Sequence, residues 1–262
     1  MGLFSKIFEK KVCAICGGEI GLMGNRKLED GSLCKECASK LSPWFSERRS
    51  STVAQISEQL AYREENKAAV SAFHATRTLG IYTKVLLDED HRKFMVTSAS
   101  NLKDANPDVL DYAQVTACQL DIDERKTEQK QKNDEGKEVS YDPPRYVYRY
   151  DFYVVIHVNF PYFDTIRFKV NRSSIEVTPP ALRVAAIRDV AAFARGSSVD
   201  FREAEQIGQD IVEALTGARQ QVREEAVAAS TPKAAVTCPF CGASTIPDAH
   251  GRCEYCGGSV VG

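Results

Sequence analysis

Between residues 50 and 73 apolar positions recur at helical spacing. Val53, Ile56 and Leu60 share one face of a stretch rich in strong helix formers, and Ser51 or Thr52 is placed to cap its start. From about Thr76 the period shortens to two. "LGIYTKVLLDEDHRKFMV" reads as a hairpin turning at "DEDHRK", and "LDYAQVTACQLDI" as a further strand. In "YVYRYDFYVVIHV", Tyr148, Tyr150, Phe152, Val154, Ile156 and Val158 face one way. Arg149, Asp151, Tyr153 and His157 face the other, with Val155 as the exception. After the turn "NFPYFD", "TIRFKV" returns with Ile166, Phe168 and Val170 inward. The pattern predicts an antiparallel sheet with one wet face. A helix follows over 180–194, opened by Pro180, with Leu182, Ala186 and Val190 aligned. A second helix, "SVDFREAEQIGQDIVEAL", is capped by Asp200 and buries Ala204, Ile207, Ile211 and Leu215. Between strands, "DERKTEQKQKNDEGKEVSYDPP" carries both signs of charge and almost no apolar residue. It reads as a mobile charged loop over 121–145, a solvated segment first and a partner-binding tip second.

The ends of the chain obey another rule. Eight of nine cysteines form four Cys-x-x-Cys pairs: Cys13/Cys16, Cys34/Cys37, Cys238/Cys241 and Cys253/Cys256. The start of the chain has no apolar core or cleavage site of a secretory signal, so the spacing points to metal in a reducing compartment and a cytoplasmic protein. Each end offers four thiolates, enough to close a tetrahedral zinc shell, so two structural Zn2+ ions per chain are expected. A catalytic zinc would need an open position, and a redox pair would need a single Cys-x-x-Cys in an α/β setting. At the N-terminal site Gly17 and Gly18 suit a tight turn, Asp30-Gly31 a hairpin, and Cys34, Cys37, Ala38 and Leu41 a short helix ended by Pro43. At the C-terminal site Gly242 and Gly257 come directly after each pair, and His250 is expected at the surface.

Knuckle, hairpin and then helix form a treble-clef order. "CAICGGEIGLMGNRKLEDGSLCKECASKL" resembles the zinc-binding domain at the front of Clp-type protein unfoldases. It is more similar still to an uncharacterised bacterial N-terminal domain of unknown function, through its cysteine pairs, Gly-Asn-Arg-Lys-Leu and the "DG-x-LC" before the second pair. The resemblance implies a zinc-bound interaction module. "CPFCGASTIPDAHGRCEYCGG" resembles the zinc-ribbon tails of many bacterial proteins. In the middle, "LLDEDHRKFMV" and "DYAQVTACQLDID" resemble the bacterial pleckstrin-homology-like domain, an antiparallel sheet closed by a C-terminal helix.

The expected architecture is therefore α+β. A treble-clef zinc module over 1–49 is joined by a helix over 50–74 to an antiparallel PH-like β domain with C-terminal helices over 75–217. A linker over 218–235 leads to a small zinc ribbon over 236–262. The 262 residues, 43% hydrophobic and 27% charged, suit a globular protein. The net charge of −2 argues against nucleic acid, and so does the ribbon, where Lys233 and Arg252 only balance Asp248 and Glu254. No apolar run is long enough to span a bilayer. No nucleophile, phosphate-loop or zinc-protease motif is present, and Cys118 reads as an inert buried thiol, so no enzyme and no small-molecule substrate are expected. The expected function is a zinc-binding adaptor or scaffold with a protein partner, engaged through Asn25, Arg26 and Lys27 between the first cysteine pairs. The first alternative is a peripheral membrane protein, with Leu3, Phe4, Ile7 and Phe8 forming an apolar helical face on the membrane surface. The second is a nucleic-acid-binding zinc ribbon.

Overall fold

The computed structural model describes residues 11–21, 23–179, 190–230, 235–248 and 250–260. The chain forms two compact units, Met1–Arg219 and Gln220–Gly262. The architecture is mixed α+β, with antiparallel sheets between two four-cysteine clusters. The expected apolar face at Leu3, Phe4, Ile7 and Phe8 lies outside the described residues, as does the helix expected from Pro180 as far as position 189.

The first unit opens with two short hairpins, β1 (Lys11–Val12) with β2 (Glu19–Ile20) and β3 (Arg26–Lys27) with β4 (Ser32–Leu33). Helix α1 (Lys35–Ser39) comes at once, with Cys34 as its N-cap. Helix α2 (Val53–Ala72) starts at a capping box, in which the Thr52 side chain accepts from Gln55 N–H and the Gln55 side chain accepts from Thr52 N–H. The first turns of α2 belong to the cysteine module. Ile56 is buried with Leu28, Leu33 and Leu41, and Val53 packs beside them. Asp30 Oδ1 also accepts from Val53 N–H at 2.8 Å.

Further along α2 the buried stripe becomes polar: Ile56, Gln59, Arg63, Asn66 and Val70. A face read from apolar residues alone would end at Leu60. Arg63 and Asn66 are buried because the loop before β8 supplies their partners. Arg63 Nη1 donates to Asp108 Oδ1 at 2.7 Å, with side chains 7% and 0% exposed. Asp108 also accepts from Ser42 Oγ at 2.7 Å and from the Tyr62 hydroxyl at 3.1 Å. Asn66 donates to Asn106 Oδ1 and to the Pro107 carbonyl, both at 2.8 Å, and accepts from Val109 N–H at 3.0 Å. Asn106 sits in the left-handed region, φ 47°, one of the few non-glycine types that tolerate it. Its side chain returns a hydrogen bond to the Arg63 carbonyl at 2.8 Å.

Two four-stranded antiparallel sheets come next. The first is β5 (Arg77–Leu79), β6 (Lys84–Asp88), β7 (Lys93–Thr97) and β8 (Leu110–Asp111), in that order. The expected hairpin is present, with Leu87 opposite Phe94 and Asp88 opposite Lys93. Its turn is held by the buried Asp88 carboxylate, which accepts from the His74 and His91 backbone N–H groups, each at 3.0 Å. The second sheet is built on β10 (Glu138–Val158), with β9 (Val115–Lys132) on one side. On the other side lie β11 (Thr165–Lys169) and β12 (Ile175–Val177). Ile166, Phe168 and Val170 are buried as expected. The outer face is less wet than its alternation implied, since Val155 and Asp151 are buried there.

The expected charged loop over 121–145 is instead paired strand. β9 and β10 continue as a two-stranded ribbon to a tight turn at Asn133–Lys137. Tyrosines on β10 supply the strand preference that β9 lacks. Lys126 lies 3.9 Å from the Tyr146 ring centroid, and Arg145 stacks at 4.3 Å on Tyr141. The register slips between Ser140 and Arg145, where Pro143 and Pro144 cannot donate to the ladder.

Helix α4 (Val190–Ser197) is succeeded by α5 (Val199–Ser230); the short α3 (Leu102–Ala105) lies earlier, after β7. The start of α5 is capped by Ser198 Oγ, which accepts from Phe201 N–H at 3.2 Å, rather than by Asp200. Phe201, Ala204, Ile211 and Leu215 are buried, whereas Ile207 is only half-buried. The Phe201 ring meets Tyr150 and Phe152 edge-on, both at 4.9 Å between centroids. Gly208 lets the helix approach the sheet, because a Cβ there would lie 2.4 Å from Leu120 Cδ1. Residues 218–230 continue α5 where a linker was expected. The second unit adds one hairpin, β13 (Val236–Thr237) with β14 (Ser244–Thr245).

The packing can be tested at two carboxylates. Asp108→Ala leaves Arg63 buried without its counter-charge and should cost about 3–5 kcal/mol in urea unfolding of the full chain. A loss under about 1 kcal/mol would be what an exposed pair gives and would contradict the buried network. Asp151 gives a pH dependence. Burial raises its pKa, but hydrogen bonds from Lys169 and Ser174 and the charges of Lys169 and Arg125 outweigh that and hold it below the usual range. A depressed folded pKa stabilises above the unfolded value, near 4, and the gain is lost as pH falls through the folded pKa. The stability difference between wild type and Asp151→Asn should therefore be constant above about pH 5 and shrink below about pH 4.

Candidate metal centres

Each end of the chain places four cysteine sulfurs within 4.8 Å of one another: Cys13, Cys16, Cys34 and Cys37 at one, Cys238, Cys241, Cys253 and Cys256 at the other. All eight sequence-predicted ligands fall in these groups. Among the described residues no His or carboxylate joins either set, and His250 is exposed at the surface.

Three of the four pairs are built alike. The N–H of the first cysteine donates to the carbonyl five residues on: Cys13 to Gly18 at 2.9 Å, Cys238 to Ala243 at 2.8 Å and Cys253 to Gly258 at 2.8 Å. The glycine after the second cysteine returns an N–H to the first, from Gly17, Gly242 and Gly257. Those glycines have φ of 70°, 73° and 72°, a conformation that glycine adopts without strain. The fourth pair differs. Cys34 caps α1, its sulfur accepts from Cys37 N–H at 3.3 Å, and Cys37 sits inside the first turn. The N-terminal site is thus a knuckle facing a helix start, and the C-terminal site is a knuckle facing a knuckle.

The donor set fits a tetrahedral ion. Zinc–thiolate bonds of about 2.3 Å put neighbouring sulfurs roughly 3.8 Å apart. Cys16 and Cys34 sulfurs are 3.8 Å apart, Cys238 and Cys256 3.5 Å, and Cys241 and Cys253 3.7 Å. Backbone N–H groups point at the sulfurs, from Cys34 to Cys13 at 3.3 Å and from Phe240 to Cys238 at 3.4 Å. These donors set the thiol acidities. Burial raises the Cys13 thiol, but N–H groups of Cys16, Cys34 and Ile15 bring it down to about 6. Cys253, raised by burial, is likewise brought down to about 6 by Cys256 and Tyr255 N–H groups. Burial and the neighbouring sulfurs push Cys37 well up. Each cluster therefore readily forms a first thiolate and gives up the remaining protons when a cation arrives. Two groups that could each hold a metal ion, consistent with zinc, stand at the two ends.

The proposed partner-binding residues fare unevenly. Lys27 is exposed, but its carbonyl is taken by Arg48 Nη1 at 2.6 Å. Arg26 folds over its own turn, donating to the Met23 and Asn25 carbonyls at 3.3 and 3.4 Å, and Asn25 is half-buried. Among the described residues of that segment, the most exposed large apolar side chain is Met23, at 93%. At the other site Phe240 and Tyr255 occupy the same position in their two knuckles and are 72% and 71% exposed. Sequence reasoning passed over all three, although their place inside each Cys-x-x-Cys or beside a Gly was a usable signal. It also missed Asp248, whose carboxylate holds the second site's loop through the N–H groups of His250 and Arg252, both at 2.8 Å. Cys118 is half-buried on β9, and burial pushes its thiol up to about 12, so it is a poor nucleophile at neutral pH.

Residues 11–59 match the family model of a domain of unknown function, DUF4428. That segment agrees with the resemblance read at this end, and it reaches past residue 49 into the turns of α2 that complete the module's core. No curated protein and no solved structure matches the chain.

Elemental analysis of purified protein should return about two zinc ions per chain, falling to about one for Cys13→Ser or for Cys238→Ser and to none for the pair combined. Iron in place of zinc, or two ions retained in either single variant, would sink the assignment.

Proposed function

We propose that the chain is a non-enzymatic adaptor, in which two structural zinc ions rigidify small modules that dock another protein. The N-terminal module is read as a treble clef, since a knuckle, a hairpin and a helix opened by Cys34 supply its ligands in that order. The C-terminal module is read as a zinc ribbon from its two matching knuckles. The middle is read as PH-like, because two successive four-stranded antiparallel sheets precede a helix lying on the second. A reducing, cytoplasmic location suits the eight thiols.

The observation that carries the adaptor reading is the pairing of closed ligand sets with apolar tips. Neither ligand set has a spare donor type or an open position for substrate. Met23, Phe240 and Tyr255 are nevertheless offered to solvent beside those rigid turns. Exposed large apolar groups on a preorganised scaffold favour protein contact. The basic footprint that nucleic acid would require is missing from the charge count of the second module. A membrane role rests on Leu3, Phe4, Ile7 and Phe8, and no described helix is long and apolar enough to cross a bilayer.

The test is recovery of a stoichiometric protein partner on tagged full-length chain from its own host. Phe240→Ser with Tyr255→Ser, or Met23→Ser, should abolish that recovery while leaving the zinc content and melting temperature unchanged. Partner retention by all variants would remove the docking role from Met23, Phe240 and Tyr255, and no recovered partner, or flotation with anionic liposomes that is lost on deleting residues 1–11, would replace the adaptor reading with another.

A further inference from the structure

A cleft of about 450 Å³ opens between the end of the cysteine module, α2 and the β10–β11 turn, all within the first unit. Its size falls in the range of small-molecule sites. Its walls are aromatic: Trp44 and Phe45 on one side, Phe160, Tyr162 and Phe163 on the other. Tyr162 stacks on Tyr62 at 5.1 Å between centroids, and Phe160 meets Tyr162 edge-on at 5.7 Å, so the far wall is a fixed surface.

Charge in the cleft has one sign. Glu47, Glu58 and Asp164 line it, and no Lys, Arg or His does. The three carboxylates have no ion-pair partner among the described residues, while carboxylates elsewhere, at positions 108, 111, 124, 151 and 176, are paired. Tyr162 responds to that field: burial first, then the charges of Glu58 and Glu65, raise its hydroxyl above the usual range.

The second, independent observation is Gln59. It lines the same cleft, is 0% exposed, and leaves both its Oε1 and its Nε2 without a partner. A buried amide with neither group satisfied is unfavourable, because both groups have given up water and gained no partner. Its neighbours on the same helix face, Arg63 and Asn66, are by contrast hydrogen-bonded. A buried amide acceptor, aromatic rings and exposed carboxylates lining one cleft are the three elements that recognise an organic cation.

We propose that this cleft binds a small organic cation, an alkylammonium or guanidinium head on an aliphatic stem, with the head between the aromatic faces and its N–H groups shared by Gln59 Oε1 and the rim carboxylates. The assignment does not depend on the adaptor reading, since none of Met23, Phe240 or Tyr255 lines the cleft.

The chain has one tryptophan, and it lines the cleft, so its emission reports occupancy directly. The full-length, zinc-loaded protein would be titrated at low ionic strength with agmatine, standing for a free amine, and with acetyl-Gly-Arg-Gly-amide, standing for a chain-borne side chain. Butyrate and butylurea serve as anionic and neutral controls. A saturable change with one or both cations at or below about 1 mM, and none with the controls, is the expected result, and the stronger of the two cations identifies the source. Glu58→Gln with Asp164→Asn, both exposed and replaceable without unfolding, should weaken the response roughly fivefold to tenfold. Gln59→Met should weaken it about fivefold while leaving the melting temperature equal or higher, because an unsatisfied amide is removed. No saturable cation response up to about 10 mM, an equal response to butylurea, or unchanged affinity in either variant would overturn the proposal.

Discussion

One ion pair with almost no access to water, Arg63 with Asp108, ties together three stretches far apart in sequence. A buried charge is tolerated only when its whole hydrogen-bonding capacity is met. Asp108 meets it with donors from Arg63, Ser42 and Tyr62, and Arg63 also donates to the Lys40 carbonyl at 3.1 Å. The cysteine module, α2 and the loop before β8 are thereby held in one arrangement. The same network shapes the neighbouring cleft. The Ser42 hydroxyl accepts from Trp44 N–H at 3.2 Å, and Tyr62, anchored on Asp108, carries the stack with Phe160 and Tyr162.

The two cysteine clusters share a ligand set and differ in how the chain leaves the sulfurs. Three pairs close on a glycine with positive φ, which turns the chain back. The fourth has Lys35 and Glu36 between its cysteines and runs on into a helix, so its second sulfur is fixed by the helical turn. That difference gives the N-terminal module a helix end and a sizeable core, in which Leu28, Leu33, Leu41 and Ile56 surround Cys13 and Cys37. Among its described residues the C-terminal module buries few apolar side chains beyond Cys238 and Cys253. A metal ion bound there would therefore supply a larger share of the free energy that holds it folded.

The readable elements were those with a local cause. α2 was visible because Thr52 and Gln55 form a capping box and the stretch is rich in helix formers. The β6–β7 hairpin was visible because two apolar runs flank a turn of carboxylates. The long ribbon was hidden because β9 past Ile122 has no apolar residue, and its strand character comes from tyrosines on its partner. The polar stripe of α2 was hidden for a related reason. Arg63 and Asn66 are polar positions whose burial depends on residues 106–109, some forty positions away, coming to lie against them.

By itself the sequence determined the eight paired cysteines, helix α2 and the β6–β7 hairpin, because each depends on residues within a few positions of one another. Only the tertiary structure decided that the start of α2 completes the cysteine module, that the charged segment is paired strand, and that acids and aromatics meet around Gln59. Those features depend on desolvation, and whether a polar side chain is buried is settled by the groups that pack over it rather than by its neighbours along the chain.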